Sequence, residues 1–333
     1  MKSHRTPRRL AAALLAGVTA LSLAACGVQG GGAAKTETDF PTKPIEFTLP
    51  SSAGGSTDLI GRAVAKALEK PLGQPIPVVN KAGANGAVGG KEVLGSRADG
   101  YKMVMLFKSL MAITPLAVDD ANPIVFDQMK VVGGLTVEDY VLVVNTAKHP
   151  DGDLAALLGQ EGLAYGTAGT GTGGQLSQAL LLAKNGVKYK DVPFQGGAPA
   201  VTALLGEQVD AITVQIAEAM PHIKSGAFRP IATFGEKRSE FLPEVPTAKE
   251  SGHDIVVDQK RFIAYPKDTD AAIVTKVANS LTEAFKDPEY DAFLKSNFIS
   301  RWEVPGSEVV SDISQAKDTF ARVVQENGIS LKG

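Results

Sequence analysis

Residues 165–175 read YGTAGTGTGGQ. The apolar run Leu163–Tyr165 leads into this stretch, and a helical pattern from about Gln175 to Ala183 leaves it. Strand, glycine turn and helix form the repeating unit of an α/β fold. Such a turn surrounds a ligand with free backbone N–H groups and the positive end of a helix, which suits an anion. Gly169, Gly171 and Gly174 satisfy G-x-G-x-x-G, with Gly173 beside them, but spacing alone does not separate a dinucleotide cradle from another anion site. No GKS or GKT follows, so this is not a Walker-type triphosphate loop. A dinucleotide site wants an acidic residue about 20 positions on, at the end of the next strand. Asp191 has that separation but precedes the run Val192–Phe194, at the wrong end. Thr167, Thr170 and Thr172 add hydroxyls among the glycines.

The same grammar occurs at the start of the chain. After the strand pattern Ile45–Leu49 come Ser52, Ala53, Gly54, Gly55, Ser56, Thr57 and Asp58, then a helical spacing of Leu59, Ile60, Ala63, Val64, Ala67 and Leu68 ending at Leu72-Gly73. The glycines allow close backbone approach, and Ser56 or Thr57 suits a helix cap. The plainer alternative is a βα turn with a good cap. The two loops lie about 115 residues apart. Placed one on each of two lobes, they would grip an anion from both sides of a cleft.

The remaining pattern alternates short strands with helices, which predicts parallel or mixed sheets covered on both faces. Strands are expected at 76–79, 101–107, 141–144, 163–165, 192–194, 209–214, 230–234 and 255–265, and helices at 86–94, 154–158, 175–183, 199–205, 271–285, 288–297 and 309–326. At 333 residues two α/β lobes are expected: 40–143 with 257–333, and 144–256. The chain would cross between them near Val141–Asn145 and Asp254–Tyr265.

The first 25 residues read as an export signal, with Lys2, Arg5, Arg8 and Arg9 before the apolar run Leu10–Leu23. The sequence Leu23-Ala24-Ala25-Cys26-Gly27 resembles a bacterial lipobox, and Cys26 is the sole cysteine, so Cys26 is the expected lipidation site. Residues 26–39, Gly-rich and polar after the cysteine, read as a flexible tether. Removing residues 1–25 takes away four basic residues and no acidic one, moving the formal charge from −2 to −6. That balance does not suit a nucleic-acid surface. The expected location is the outer face of the cytoplasmic membrane, periplasmic or open to the medium.

Enzyme signatures are missing. His149, His222 and His253 are scattered, no H-E-x-x-H or other metal spacing occurs, and there is no G-x-S-x-G. No metal or other cofactor is implied. An extracytoplasmic hydrolase is the alternative of a different class.

An ordered series of motifs runs through the chain: Phe40-Pro41-Thr42-Lys43-Pro44-Ile45, the Pro50…Gly54-Gly55…Asp58 loop, Leu72-Gly73-Gln74-Pro75, Val79-Asn80-Lys81-Ala82-Gly83 and Asp99-Gly100-Tyr101. It continues with Val192-Pro193-Phe194-Gln195-Gly196-Gly197-Ala198-Pro199, Leu205-Gly206-Glu207-Gln208-Val209-Asp210, Pro221-His222-Ile223-Lys224-Ser225-Gly226 and Leu242-Pro243-Glu244-Val245-Pro246-Thr247. Over roughly residues 40–330 the chain resembles the Bug family, the solute receptors of tripartite tricarboxylate transporters. The resemblance implies a periplasmic-binding-protein fold, type II-like, with two α/β lobes and a ligand cleft between them. It implies a monomeric receptor that captures a small organic acid, such as citrate or another di- or tricarboxylate, and delivers it to a membrane permease. A carboxylate-sensing receptor for a signalling system is the neighbouring possibility. One ligand carboxylate would be held largely by main-chain amides of Ser52–Asp58 and Thr167–Gly173, partly through water. Departures from the family pattern are Gln175, where His is common, Gln195, where Lys is common, and Asp258–Phe262, where many members are aromatic-rich. Lys108, Ser109, Lys260 and Arg261 are candidates for the ligand's other end, the alternatives being a solvated loop and a strand face or hinge. Phe194, with Gln195 and Gly196, flanks the ligand or fills core, and Asp210 binds ligand or only fixes a turn.

Overall fold

The computed structural model describes residues 39–150 and 153–332. Cys26, the leader and the tether before Asp39 lie outside the described residues. Among the described residues ten strands form one mixed sheet. The strands are β1 (Glu46–Leu49), β2 (Val78–Asn80), β3 (Lys102–Phe107), β4 (Met129–Asn145), β5 (Ala164–Thr167), β6 (Lys190–Pro193), β7 (Ala211–Gln215), β8 (Phe228–Thr233), β9 (Asp258–Pro266) and β10 (Ser300–Arg301). Eleven α-helices cover it: α1 (Ser56–Leu72), α2 (Ala87–Leu94), α3 (Lys108–Ala112), α4 (Thr114–Ala117), α5 (Leu154–Leu158), α6 (Gly173–Lys184), α7 (Gly197–Leu205), α8 (Ile216–Lys224), α9 (Ala271–Ala284), α10 (Pro288–Ser296) and α11 (Gly306–Glu326).

The strand order is β2-β1-β3-β9-β4-β7-β5-β6, with β8 and β10 also paired to β4. Strand β4 is the organising element. Met129–Asp139 pairs antiparallel with β9, whereas Tyr140–Asn145 pairs with β7 and β8. The change of partners at Asp139/Tyr140 divides the sheet into a first half (β2, β1, β3, β9) and a second half (β7, β5, β6, β8). In the first half β1, β2 and β3 run parallel, as do β5, β6 and β7 in the second. The chain returns to the first half at Asp258, which sits opposite Asp139.

Burial explains why β4 is a strand on both sides of the change. Val141 and Val143 pack with Ala200, Leu204, Ile212 and Met220 on one face. Leu142 and Val144 pack with Tyr165, Leu176 and Leu180 on the other, as a two-residue period requires. A third cluster unites Ile60, Val64 and Leu68 of α1 with Val277 and Leu281 of α9 over Phe47 and Met103. Each fully buried Leu or Ile stabilises by about 2 kcal/mol relative to exposure. The register of β4 against β9 shifts twice, around Val131/Gly133 and Gly134/Thr136. There Gly134 lies under the crossing segment before α11, and a β-carbon on it would stand 2.5 Å from the Trp302 carbonyl oxygen.

Candidate ligand-binding site

In both halves the carboxyl ends of the parallel strands point to the seam at the middle of β4. The β1–α1 loop exposes Ser52, Ala53 and Gly54 and half-buries Gly55. Leu59 is the first residue whose amide makes a helical bond, to the Gly55 carbonyl at 3.1 Å, so the amides before it have no partner within the helix, and that of Ser56 turns to Glu218. Asp58 braces this loop. It accepts from the Gly54 amide at 2.9 Å, from Arg62 Nε at 3.1 Å and from Asn80 Nδ2 at 2.8 Å. Burial alone would raise its pKa, but the hydrogen bonds from Arg62, Gly54 and Asn80 outweigh burial and hold the carboxyl below its ordinary value.

Across the seam, the β5–α6 loop is wound tightly by its own side chains. Thr172 caps α6, accepting from the Gln175 amide at 3.3 Å and donating to the Gly169 carbonyl at 2.7 Å. Gln175 is buried and turned inward. Its Oε1 accepts from the Gly171 amide at 2.8 Å and its Nε2 donates to Asp191 Oδ2 at 2.7 Å. Thr167 is fully buried, whereas Gly169 and Thr170 are half-buried. The Gly171 carbonyl turns to the first half, where it accepts from Asn85 Nδ2 at 3.0 Å and Thr114 Oγ1 at 3.2 Å. Asn85 holds a left-handed conformation at φ 45°, which Asn tolerates better than most residues.

The charged candidates are all engaged. Arg261 is fully buried and pairs with Glu138. It also donates to Thr57 Oγ1 and Ser56 Oγ, each at 3.2 Å. Ser56 Oγ in turn donates to Glu138 Oε2 at 2.8 Å. Lys108 pairs with Asp258 and lies over the Phe320 ring. Ser109 Oγ accepts from Gln259 Nε2 at 2.9 Å. Lys260 reaches Asp312 at 2.5 Å and stacks over Trp302. Asp210 takes a different place. It pairs with Lys148 and accepts from the Ala164 amide at 2.7 Å, at the opposite end of β5 from the glycine loop. Phe194 packs over Gly166 at the rim of the second-half core, Gln195 is exposed, and the Gly196 amide binds the Ala168 carbonyl at 2.9 Å.

Four residues at the seam were not singled out on sequence: Glu138, Asp139, Tyr140 and Glu218. The available signal was charge inside apolar runs, Glu138-Asp139 within 131–144 and Glu218 within 211–223. The Glu218 carboxyl rests on Gly197, where a β-carbon would stand 2.0 Å from Oε2. Burial and the charge of Glu138 raise its pKa to about 7, against the opposing pull of Arg261 and of the Gln215 and Ser56 amides. Asp139 is raised to about 6 by burial and by Asp258 and Glu138. Two open cavities, of about 540 and 310 Å³, lie elsewhere: beside Tyr101 and Lys102, and between α1 and α10.

Residues 60–329 match the model of the tripartite tricarboxylate transporter family receptor. The chain belongs to this family. The Bordetella pertussis protein BugT is 30% identical over 326 residues, covering 96% of this chain and 98% of BugT. The solved structure of the periplasmic binding protein BugD superposes with a TM-score of 0.80 at 25% identity, over 88% of this chain and all of BugD. MatC from Rhodopseudomonas palustris, solved with bound malate, gives a TM-score of 0.77 at 26% identity, over 86% of this chain and all of MatC. The Bug-type receptor expected from the motifs is thereby established, with its α/β periplasmic-binding-protein fold. The family is one of periplasmic solute receptors, not enzymes. No helix among the described residues is long and apolar enough to cross a membrane.

Proposed function

We propose that this receptor captures a small organic acid, a di- or tricarboxylate such as citrate or a related acid, at the seam of the two half-sheets and hands it to a membrane permease. The observation that supports this is the convergence of two glycine loops, each opening a helix, from opposite halves. Both helix starts meet the middle of β4, Ser56 through its bond to Glu138 and Gly173 against the Tyr140 ring, and the Gly171 carbonyl is tied to Asn85 and Thr114 of the first half. The malate carried by MatC fits the same chemistry. Micromolar capture needs about −8 kcal/mol. Several N–H bonds to one carboxylate, at about 1.5–3 kcal/mol each, reach that after ordering costs. Calorimetry and small-angle scattering across di- and tricarboxylates, aromatic acids and amino acids should find one class that binds with a compaction of the chain. Neither binding nor compaction with any of them would overturn the reading.

The lipobox pattern at Leu23–Cys26 supports anchoring through Cys26. Two or more acyl chains hold a protein stably at a bilayer where one is marginal. In cell fractionation the wild-type chain should sediment with membranes and Cys26→Ser should not; equal partition of the two would remove the anchor.

A further inference from the structure

We propose that Glu218 holds, with its own carboxylate, the α1 start that a ligand carboxylate takes, and that each capture loads a proton from solvent onto Glu218. This rests on the carboxylate-receptor reading and adds a regulation of that same site by protons.

The seat of Glu218 is made by helix starts from both halves. Glu218 itself lies in the first turn of α8, in the second half. The Ser56 amide, at the start of α1 in the first half, turns to its carboxyl, and so does the Gln215 amide at the cap of α8. Gly197, the first residue of α7, lies against the same carboxyl, where a β-carbon would stand 2.0 Å from Oε2. Only a residue without a side chain leaves that room. Helix starts favour an anion, and this chain supplies one of its own. A ligand carboxylate seated at the start of α1 needs the same Ser56 amide, so the two carboxylates compete for it.

The seat does not satisfy the charge it holds. Glu218 as a residue is half-buried, but its Oε2 atom is enclosed and has no hydrogen-bond partner. An enclosed acceptor without a donor is costly, and a proton there turns it into a donor. The neighbours divide in their effect. Burial and the charge of Glu138, from β4, oppose the charged form, whereas Arg261, from β9, and the two amides support it. Arg261 is already paired with Glu138. Tyr140 of β4 stays neutral because burial pushes its ionisation upward, and α7 carries no titratable side chain. The balance leaves Glu218 titrating at about 7. A ligand carboxylate at the Ser56 amide brings a second negative charge, which drives Glu218 further towards its neutral form. The neutral carboxyl gives up the amide and becomes a hydrogen-bond donor beside the ligand. A di- or tricarboxylate therefore meets a neutral group in the complex, not a competing anion.

The test is calorimetry of the mature chain with malate, succinate, citrate, benzoate and glutamate at pH 6 and pH 8, the latter in two buffers of different ionisation heat. For an acid that binds, affinity should fall about tenfold from pH 6 to pH 8, the linkage expected of a group that titrates near 7 and is neutral in the complex. At pH 8 the two buffers should report uptake of about one proton per ligand. Glu218→Gln, neutral at every pH, should bind about tenfold tighter than wild type at pH 8, equally at pH 6, and without that uptake. Ionisation of the ligand itself is common to both chains and cancels in the comparison. Gly197→Ala is the second variant. Its methyl group takes the space of the Glu218 carboxyl, the end of a flexible side chain, while alanine suits a helix. It should also lose most of the pH dependence, and circular dichroism checks that each variant is folded. Equal pH profiles for wild type and Glu218→Gln, or a Gly197→Ala profile as steep as wild type, overturn the proposal while the carboxylate-receptor reading stands. Binding of none of the five acids overturns both.

Discussion

Arg261→Met should lower the melting temperature by roughly 5–8 °C, the shift expected for a loss of about 3–5 kcal/mol in a chain of this size. Glu138 is paired with Arg261 and both side chains are fully buried. Removing the guanidinium leaves the Glu138 carboxylate with the Ser56 hydroxyl as its hydrogen-bond partner. The large penalty comes from stranding a charge, not from the worth of the pair, because forming the pair already cost the desolvation of two ions. The double variant Arg261→Met with Glu138→Leu should therefore recover most of the loss. Calorimetric melting of the two single variants and the double variant checks this. A single variant within about 2 °C of wild type, where 3 kcal/mol shifts a chain of this size by about 5 °C, would show that the pair is solvated in solution.

The second large effect concerns pH. Glu218 titrates near 7 when folded, above its ordinary 4.5. Between those values the folded chain binds a proton that the unfolded chain does not, so stability is greatest at the acid end of the window and falls as pH rises through it. The full shift corresponds to about 3 kcal/mol. Asp139, raised to about 6, adds to the same slope at lower pH. Urea midpoints should be higher at pH 5 than at pH 8. Glu218→Gln should flatten the upper part of the profile and gain stability at pH 8. A wild-type profile level from pH 5 to 8 would mean that Glu218 keeps its ordinary ionisation.

The helix starts were legible in the sequence because glycine, hydroxyl and apolar spacing announce them locally. Helix α1, for instance, ends at Leu72 with Gly73 in the left-handed conformation, as its pattern implies. Two elements were hidden by local exceptions. The first part of β4 carries Gly133, Gly134, Glu138 and Asp139, which break an apolar run. They are tolerated because Trp302 needs the space above Gly134 and Arg261 answers Glu138. Helix α8 contains Pro221, which reads as a breaker. It persists because Ile216, Ala219 and Met220 are buried in the core of the second half. The charged side chains near the seam were visible as residues, but their partners were not. Whether Arg261 meets a ligand or Glu138 depends on strands separated by 123 positions, and no spacing rule reaches that far.

The route of the chain has a consequence for how the protein is made. Strand β9 lies between β3 and β4, yet it comes after the whole second half in sequence. Until residue 266 has been synthesised, the first half lacks its central strand, and β3 and β4 have unpaired edges facing each other. The early part of the chain is thus denied a completed sheet while it is still emerging. The first half and the last third of the chain are therefore completed together, each needing the other to close the sheet.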